Sequence, residues 1–237
     1  MSSYPYQLTT TSNKDELLQR YKGKPLRDLP TPSIVINKAK FESNCNKMLV
    51  NAKKLDANFR AHIKTHKTLE GTLLQLGTVP FKTEKIVVST MMEAWNILPL
   101  VKSGLIIDVH FSLPVVKSRL SELAEFSNVV PHLRIMLDDI EQLDVLANFN
   151  KTNPGTNKWS VFIKIDMGTH RAGLIADTER LNQTLAKVLT EDSIKEAVEV
   201  YGFYCHAGHS YASTSSNTAK TYLIEEIKNA NIAAITA

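Results

Sequence analysis

The chain has 237 residues, 43% hydrophobic and 22% charged, with only 9 Gly and 9 Pro, which excludes a disordered or fibrous protein and points to an ordinary globular one. Its net charge of +4 comes from 28 Lys and Arg interleaved with 24 Asp and Glu rather than gathered into a basic stripe, so no nucleic-acid partner is expected. The two cysteines, Cys45 and Cys205, form no CxxC pair, the first residues hold no apolar signal core, and no run of about 18 apolar residues offers a membrane span; together these predict a cytoplasmic protein with no membrane partner.

Residues 1–24 are polar and are expected to form a flexible, loosely attached segment. The turn LRDLPTPS then delivers the chain into a first apolar run, Pro32 to Asn37, which reads as a strand. Phe41, Cys45, Met48, Leu49 and Ala52 follow at the spacing of one helix face. Further strands are predicted in NFRAHIK, KIVVST, LIIDVHFS, LRIMLDD, WSVFIKID and EVYGFYCH, all rich in Ile, Val and aromatic residues. Helical spacing separates them, as in Val116, Leu120, Leu123 and Ala124, in Leu181, Leu185, Val188 and Leu189, and in Leu223, Ile227, Ala230 and Ala234. Near-continuously apolar strands alternating with amphipathic helices predict an α/β fold with a parallel sheet. A (β/α)8 barrel has eight strands and takes about 250 residues, so seven strands and a chain that stops inside a helical stretch predict an incomplete barrel over residues 25–237. An open doubly wound sheet accommodates the same count, although no GxGxxG follows any strand.

Either parallel architecture places ligands at the C-terminal ends of the strands. There the sequence sets His62, Lys64, Thr65, His66 and Lys67; Asp138 and Asp139; Asp166, Gly168, His170 and Arg171; and His206, His209, Ser210 and Tyr211. Strand alternation sends Lys64 to the face of His62 and away from Ile63. Held among apolar and cationic neighbours, its amine would lose its proton more readily, as a Schiff base with an aldehyde requires. A solvated basic loop, HIKTHK, that binds nothing or holds a phosphate by charge alone is the alternative. In DMGTHRAGL a glycine after the strand permits close backbone approach, and the planar fork of Arg171 suits a carboxylate, phosphate or phenolate oxygen, unless it is a surface residue capping a helix. His206 and His209 lack a third partner at any metal-site spacing, so no metal ligand is expected in the chain.

Taken together, RAHIKTHKT, DMGTHRAGL and GFYCHAGHSY resemble the D-serine dehydratase family, and within it the fungal zinc-dependent members. That family lies among the fold-type III pyridoxal-phosphate enzymes with D-threonine aldolase and alanine racemase. The resemblance runs from about YKGKPLRDLPTP to the last residue. It implies an alanine-racemase-type barrel with Lys64 as the catalytic, cofactor-bearing lysine at the end of the first barrel strand. PSIVIN would then lie outside the barrel, leaving six barrel strands. It further implies cofactor-pocket positions for Arg171, Tyr204, His206 and Tyr211. The activity implied is β-elimination of water from D-serine to give pyruvate and ammonia, with pyridoxal 5'-phosphate and zinc as cofactors. The zinc ligands, a His and a Cys of a C-terminal β-domain, and the loop that holds the cofactor phosphate have no counterpart here. The chain is therefore expected to be an N-terminal fragment that does not turn over substrate alone, from a family that forms homodimers. A D-threonine aldolase-like lyase and a non-catalytic pyridoxal-phosphate-binding protein are the alternatives.

Overall fold

The computed structural model describes residues 13–237. Of the segment expected to be loosely attached, residues 1–12 lie outside that part, and Lys14–Tyr21 forms a helix, α1, whose N-terminus is capped by Asn13 accepting from the backbone N–H groups of Asp15 and Glu16. None of its residues is buried, and Lys14 pairs with Glu70 across the surface. The following apolar run does not form a strand: Ser33 to Asn37 have no regular secondary structure and no partner strand among the described residues, with Ile34 96% exposed. A β-branched run satisfies strand propensity, but a strand exists only where a neighbour takes its hydrogen bonds.

From Asn37, which caps α2 (Lys38–Lys54), the chain alternates as expected. It continues through β1 (Ala61–His62), α3 (Leu69–Leu76), a small antiparallel hairpin of β2 (Gly77–Thr78) and β3 (Phe81–Lys82), then β4 (Lys85–Val88), α4 (Met91–Asn96) and α5 (Leu98–Lys102). Next come β5 (Asp108–Pro114), α6 (Leu120–Ser127), β6 (His132–Leu137), α7 (Glu141–Thr152), β7 (Trp159–Asp166) and β8 (Leu174–Ile175). The last elements are α8 (Glu179–Thr190), α9 (Asp192–Ala197), β9 (Val198–Tyr204) and α10 (Ser216–Thr236). The main sheet is wholly parallel in the order β1-β4-β5-β6-β7, with β9 beside β7 over residues 159–164 and β8 beside its last two residues. Its six long-range strands are those expected for the barrel. β1 and β9 do not pair, so the sheet is an open, incomplete barrel.

The two faces of this sheet differ more than near-continuously apolar strands would allow. Ala61, Ile63, Ile86, Val88, Val109, Phe111, Ile135, Leu137 and Val161 alternate onto one face and join helical Leu123, Phe126, Leu143 and Leu146 in the main core, all of them buried. A fully buried side chain of this kind contributes about 1.5–3 kcal/mol. Alternation turns Arg60, His62, Asp108, His110, Ser112, Arg134, Phe162 and Lys164 to the other face. That face is polar and aromatic because it is the barrel's interior side, where ligand and side-chain layers meet. Among the described residues no helix is long and apolar enough to cross a membrane.

Candidate active site

The end of β1 is anchored before it becomes functional. Ile63 is fully buried and its N–H donates to Val87 O at 3.1 Å, which fixes the residues on either side. A turn follows, closed by Lys67 N–H donating to Ile63 O, with Lys67 in the left-handed region. The basic run HIKTHK then divides by role. His66 Nε2 lies 2.8 Å from Gln75 Oε1 and its ring packs edge-on against Phe41, while Lys67 Nζ lies 3.4 Å from the buried carboxylate of Glu93. These two are structural. Lys64 alone of the three is left at the surface of the sheet's polar face, exposed, with no side-chain hydrogen bond or ion pair to a described residue. Its amine is not sunk among apolar neighbours as expected, since the unclosed side of the sheet leaves it open to solvent.

His62 stands beside it. Its Nδ1 accepts from the Lys64 N–H at 3.3 Å, which leaves Nε2 to face Ser89 Oγ at 3.3 Å. Burial, then the charge of Lys64, push its pKa down to about 4, so the ring is neutral at physiological pH. Ser89 is held in turn by a reciprocal cap on α4: Thr90 accepts from Glu93 N–H, and Glu93 accepts from Ser89 N–H at 2.8 Å.

Arg171 arrives by a different device. Asp166, at the end of β7, accepts from the backbone N–H groups of Thr169 and His170 at 3.1 and 3.0 Å and so curls the loop. Gly173, at φ +115°, lies against the strand so closely that a Cβ there would sit 2.9 Å from Lys164 O and 2.7 Å from Asp166 N. Only glycine allows the loop to fold back in this way. A Cβ built on Gly208 would fall 3.2 Å from His206 Nε2 and 3.9 Å from Arg171 Nη1, which places the guanidinium beside that imidazole.

The third wall comes from β9 and the turn after it. Tyr204 packs with its ring centre 5.2 Å from that of His110 and 5.6 Å from Lys164 Nζ, and burial pushes its phenol pKa up. His206 is held below its ordinary pKa by burial and then by Lys64, Lys164 and Arg171. The exposed Tyr211 ring lies 6.0 Å from that of His206.

Two cavities adjoin here and share His62, Lys64, Tyr204 and His206. The larger, about 520 Å³, extends over His110, Phe162 and Tyr211. The smaller, about 140 Å³, reaches Lys164 and Arg171. All five site residues named from the sequence (Lys64, Arg171, Tyr204, His206 and Tyr211) therefore line one connected space. Asp139 instead pairs with Arg180, Asp138 accepts from Gln142, and the His209 ring packs on Tyr222 at 4.1 Å. Sequence reasoning missed Arg60, His110, Phe162 and Lys164. Stepping back by two from Lys64 and from Asp166 would have found three of them, because period-two alternation keeps them on the site's face. Among the described residues no group of three or more His, Cys, Asp or Glu side chains is placed to hold a metal ion.

A parallel sheet, a lysine at the first strand's C-terminal end and an imidazole opposite it describe an alanine-racemase-type site. The family described as "Alanine racemase, N-terminal domain" matches residues 36–233, and the chain belongs to it. It is 51% identical over 223 residues to the D-serine dehydratase of Schizosaccharomyces pombe, covering 94% of this chain and 52% of that protein. It is 47% identical over 233 residues to the D-serine dehydratase of Saccharomyces cerevisiae, covering 92% of this chain and 54% of that protein. Among solved structures it is similar to D-threo-3-hydroxyaspartate dehydratase from a Delftia species, with a TM-score of 0.75 at 22% identity, covering 88% of this chain and 52% of that one. The chain thus spans about half the length of the relatives it matches.

Proposed function

We propose that this chain supplies the cofactor lysine and one side of the pocket of a pyridoxal-phosphate enzyme that eliminates water from D-serine, yielding pyruvate and ammonia. The observation that carries the proposal is Lys64: an amine with no ion pair to a described residue, at the C-terminal end of a parallel strand, which lines a cavity of about 520 Å³ together with His62 and His206. That volume lies within the range of small-ligand sites. The donor set suits pyridoxal phosphate, with a free amine for its aldehyde, flat walls from Tyr204 and His206 for its ring, and Arg171 for an anionic oxygen. Bound there, the group supplies an aldehyde for the amine and a ring that accepts the electron pair left when Cα gives up its proton.

The chain's own residues do the rest. Lys64 Nζ is the base that takes and holds the Cα proton. His62 and His206, both kept neutral, add no competing positive charge next to that amine. Tyr204, kept protonated, offers an O–H donor rather than a phenolate. The zinc implied by the resemblance finds no ligand set among the described residues, and no step is routed through it. The same lysine would equally serve Cα–Cβ cleavage of D-threonine; identities of 51% and 47% to D-serine dehydratases favour elimination. A homodimer of the full-length protein and a cytoplasmic setting belong to the same proposal; the two free thiols support the second, and sedimentation velocity of the full-length protein tests the first.

The test is an absorbance spectrum with added pyridoxal phosphate, before and after borohydride. A visible band that reduction fixes on Lys64, and that Lys64→Ala lacks, is expected. If wild type and variant behave alike, Lys64 is not the attachment point. Product analysis then separates the chemistries: pyruvate from D-serine supports elimination, and glycine from D-threonine supports cleavage.

A further inference from the structure

Helix α10 lies against the sheet with polar side chains on its inner side. Tyr222, Glu226, Asn229, Ala230 and Ala233, three and four residues apart, share the covered face, while Leu223, Ile224 and Ile227 on the other side stay more than half exposed. The helix is anchored near its end by Ala233, fully buried in the cluster that holds Ile163, Ile165, Leu174 and Leu181. The two inward contacts of its first half both fall on the turn after β9. Glu226 Oε1 accepts from the Ala207 N–H at 3.1 Å, and the Tyr222 ring meets that of His209 at 4.1 Å.

That turn carries His206, and the sheet does not reach it. The last register pair of β9 is Tyr204 opposite Lys164, which leaves His206 two residues beyond the ladder. Its neighbour Ala207 is held at both peptide groups instead: the N–H donates to Glu226, and the C=O accepts from Ser210 N–H at 2.9 Å. A carboxylate acceptor makes such a bond roughly twice as strong as a neutral one would. We propose that Glu226 is a positioning residue of the site, which through Ala207 sets where the His206 imidazole stands. The proposal rests on the proposed function for what His206 does there, and the latch itself stands without it. The turn leaves little slack: a Cβ on Gly208 would fall 3.2 Å from His206 Nε2, so ring and backbone are packed together and a displaced Ala207 peptide takes the ring with it.

The experiment compares full-length wild type with Glu226→Ala, which removes the acceptor, and Glu226→Gln, which keeps an acceptor oxygen without the charge. Two readouts need no cofactor: hydrogen exchange over residues 205–209, and the titration of His206 followed by NMR of labelled histidine, assigned with His206→Gln. Burial first, then the charges of Lys64, Lys164, Arg171 and His209, hold His206 below its ordinary 6.5, and His62 stands near enough to feel its charge. A loosened turn lets the ring into water, so Glu226→Ala should raise the His206 midpoint toward 6.5 and speed exchange of the turn about tenfold, with about ten times more pyridoxal phosphate needed for the visible band. Glu226→Gln should restore most of all three. Loss of charge alone has the opposite sign, because removing a nearby negative charge makes an imidazolium less favourable. A lowered midpoint in both variants, or a turn and titration unchanged in Glu226→Ala, overturns the latch. So does fast exchange of the Ala207 N–H in wild type, a reading that holds even where a variant fails to fold. The two cofactor-free readouts moving as expected, with no visible band in wild type, would sink the proposed function and leave the latch standing. A band fixed on Lys64 with His206 unmoved in Glu226→Ala would do the reverse.

Discussion

The polar face of the sheet carries two layers of cations that are treated in opposite ways. At the N-terminal ends of the strands, Arg60 Nη1 lies 2.6 Å from Asp108 Oδ1 and Arg134 Nε lies 3.5 Å from Asp108 Oδ2, with Arg134 also 3.6 Å from Glu199. Aromatic rings complete that layer, Arg134 standing 3.9 Å from the Tyr201 ring centre. At the C-terminal ends, Lys64, Lys164 and Arg171 make no ion pair with an acid among the described residues, and Asp166 and Asp138 reach Lys164 only through their charge. One sheet thus separates a layer whose charges are satisfied internally from a layer whose charges wait for a ligand, and the second is where a parallel barrel binds substrates. Stability and function are divided along the strand axis.

The sharpest way to break this comparison is to remove the acid that the first layer depends on. Asp108 is 2% exposed; burial acts to raise its pKa, but the hydrogen bond and charge of Arg60, with the charge of Arg134, outweigh burial and hold it below the ordinary value. Asp108→Ala leaves two largely buried guanidinium groups facing each other and is expected to cost about 3–5 kcal/mol in urea unfolding. Lys164→Met in the second layer should have the opposite sign at neutral pH. Burial lowers the Lys164 pKa, so its ammonium costs stability below the folded value, and that cost fades as pH rises toward the unfolded value of about 10.4. A destabilised Lys164→Met chain would mean that the upper layer is structural after all.

A smaller effect should appear with acid, between the two layers. His110 is fully buried against Phe162 and Tyr204 with its pKa pushed down to about 3, by burial first and Arg60 second; His62 falls to about 4. Both have folded values below the unfolded one, so the unfolded chain takes up protons that the folded chain refuses. The stability they lend is complete above about pH 6.5 and declines as pH falls from there through about 4 for His62 and about 3 for His110. Urea midpoints measured across that window should slope less steeply in His110→Phe than in wild type. Parallel slopes would show that His110 titrates normally and that the interior is wetter than its burial indicates.

How much of this was legible in the sequence follows from which forces are local. WSVFIKID coincides with β7 because alternation, β-branching and flanking polar residues all agree there. NFRAHIK shrinks to Ala61–His62 because only those two residues find parallel partners on β4. Pro32–Asn37 carries the same local signal and forms no strand, since pairing is a property of a neighbour that the run does not contain. The site behaves alike. Lys64 stands out in a basic cluster, whereas Lys164 sits between Ile163 and Ile165 and looks like a stray charge in a core strand. Its meaning comes from Lys64 and Arg171, which lie 100 and 7 residues away and meet it only through the fold.

The gentlest test sharpens the comparison by moving one cation of the upper layer without touching its charge. Gly173 holds the 167–173 loop down on β7 in a left-handed conformation, and a methyl group there would overlap the backbone of Lys164, Ile165 and Asp166. Gly173→Ala must therefore lift the loop, at a cost of about 1–3 kcal/mol for the strained backbone. Arg171 goes with it, two residues away, while Lys64, Lys164 and the whole Asp108 layer keep their places. If Arg171 holds an anionic oxygen of the cofactor as proposed, the variant should remain folded with a modestly lower melting temperature yet bind pyridoxal phosphate as weakly as Arg171→Ala does. Binding retained at wild-type strength in Gly173→Ala would show that the guanidinium reaches the cavity from more than one loop position.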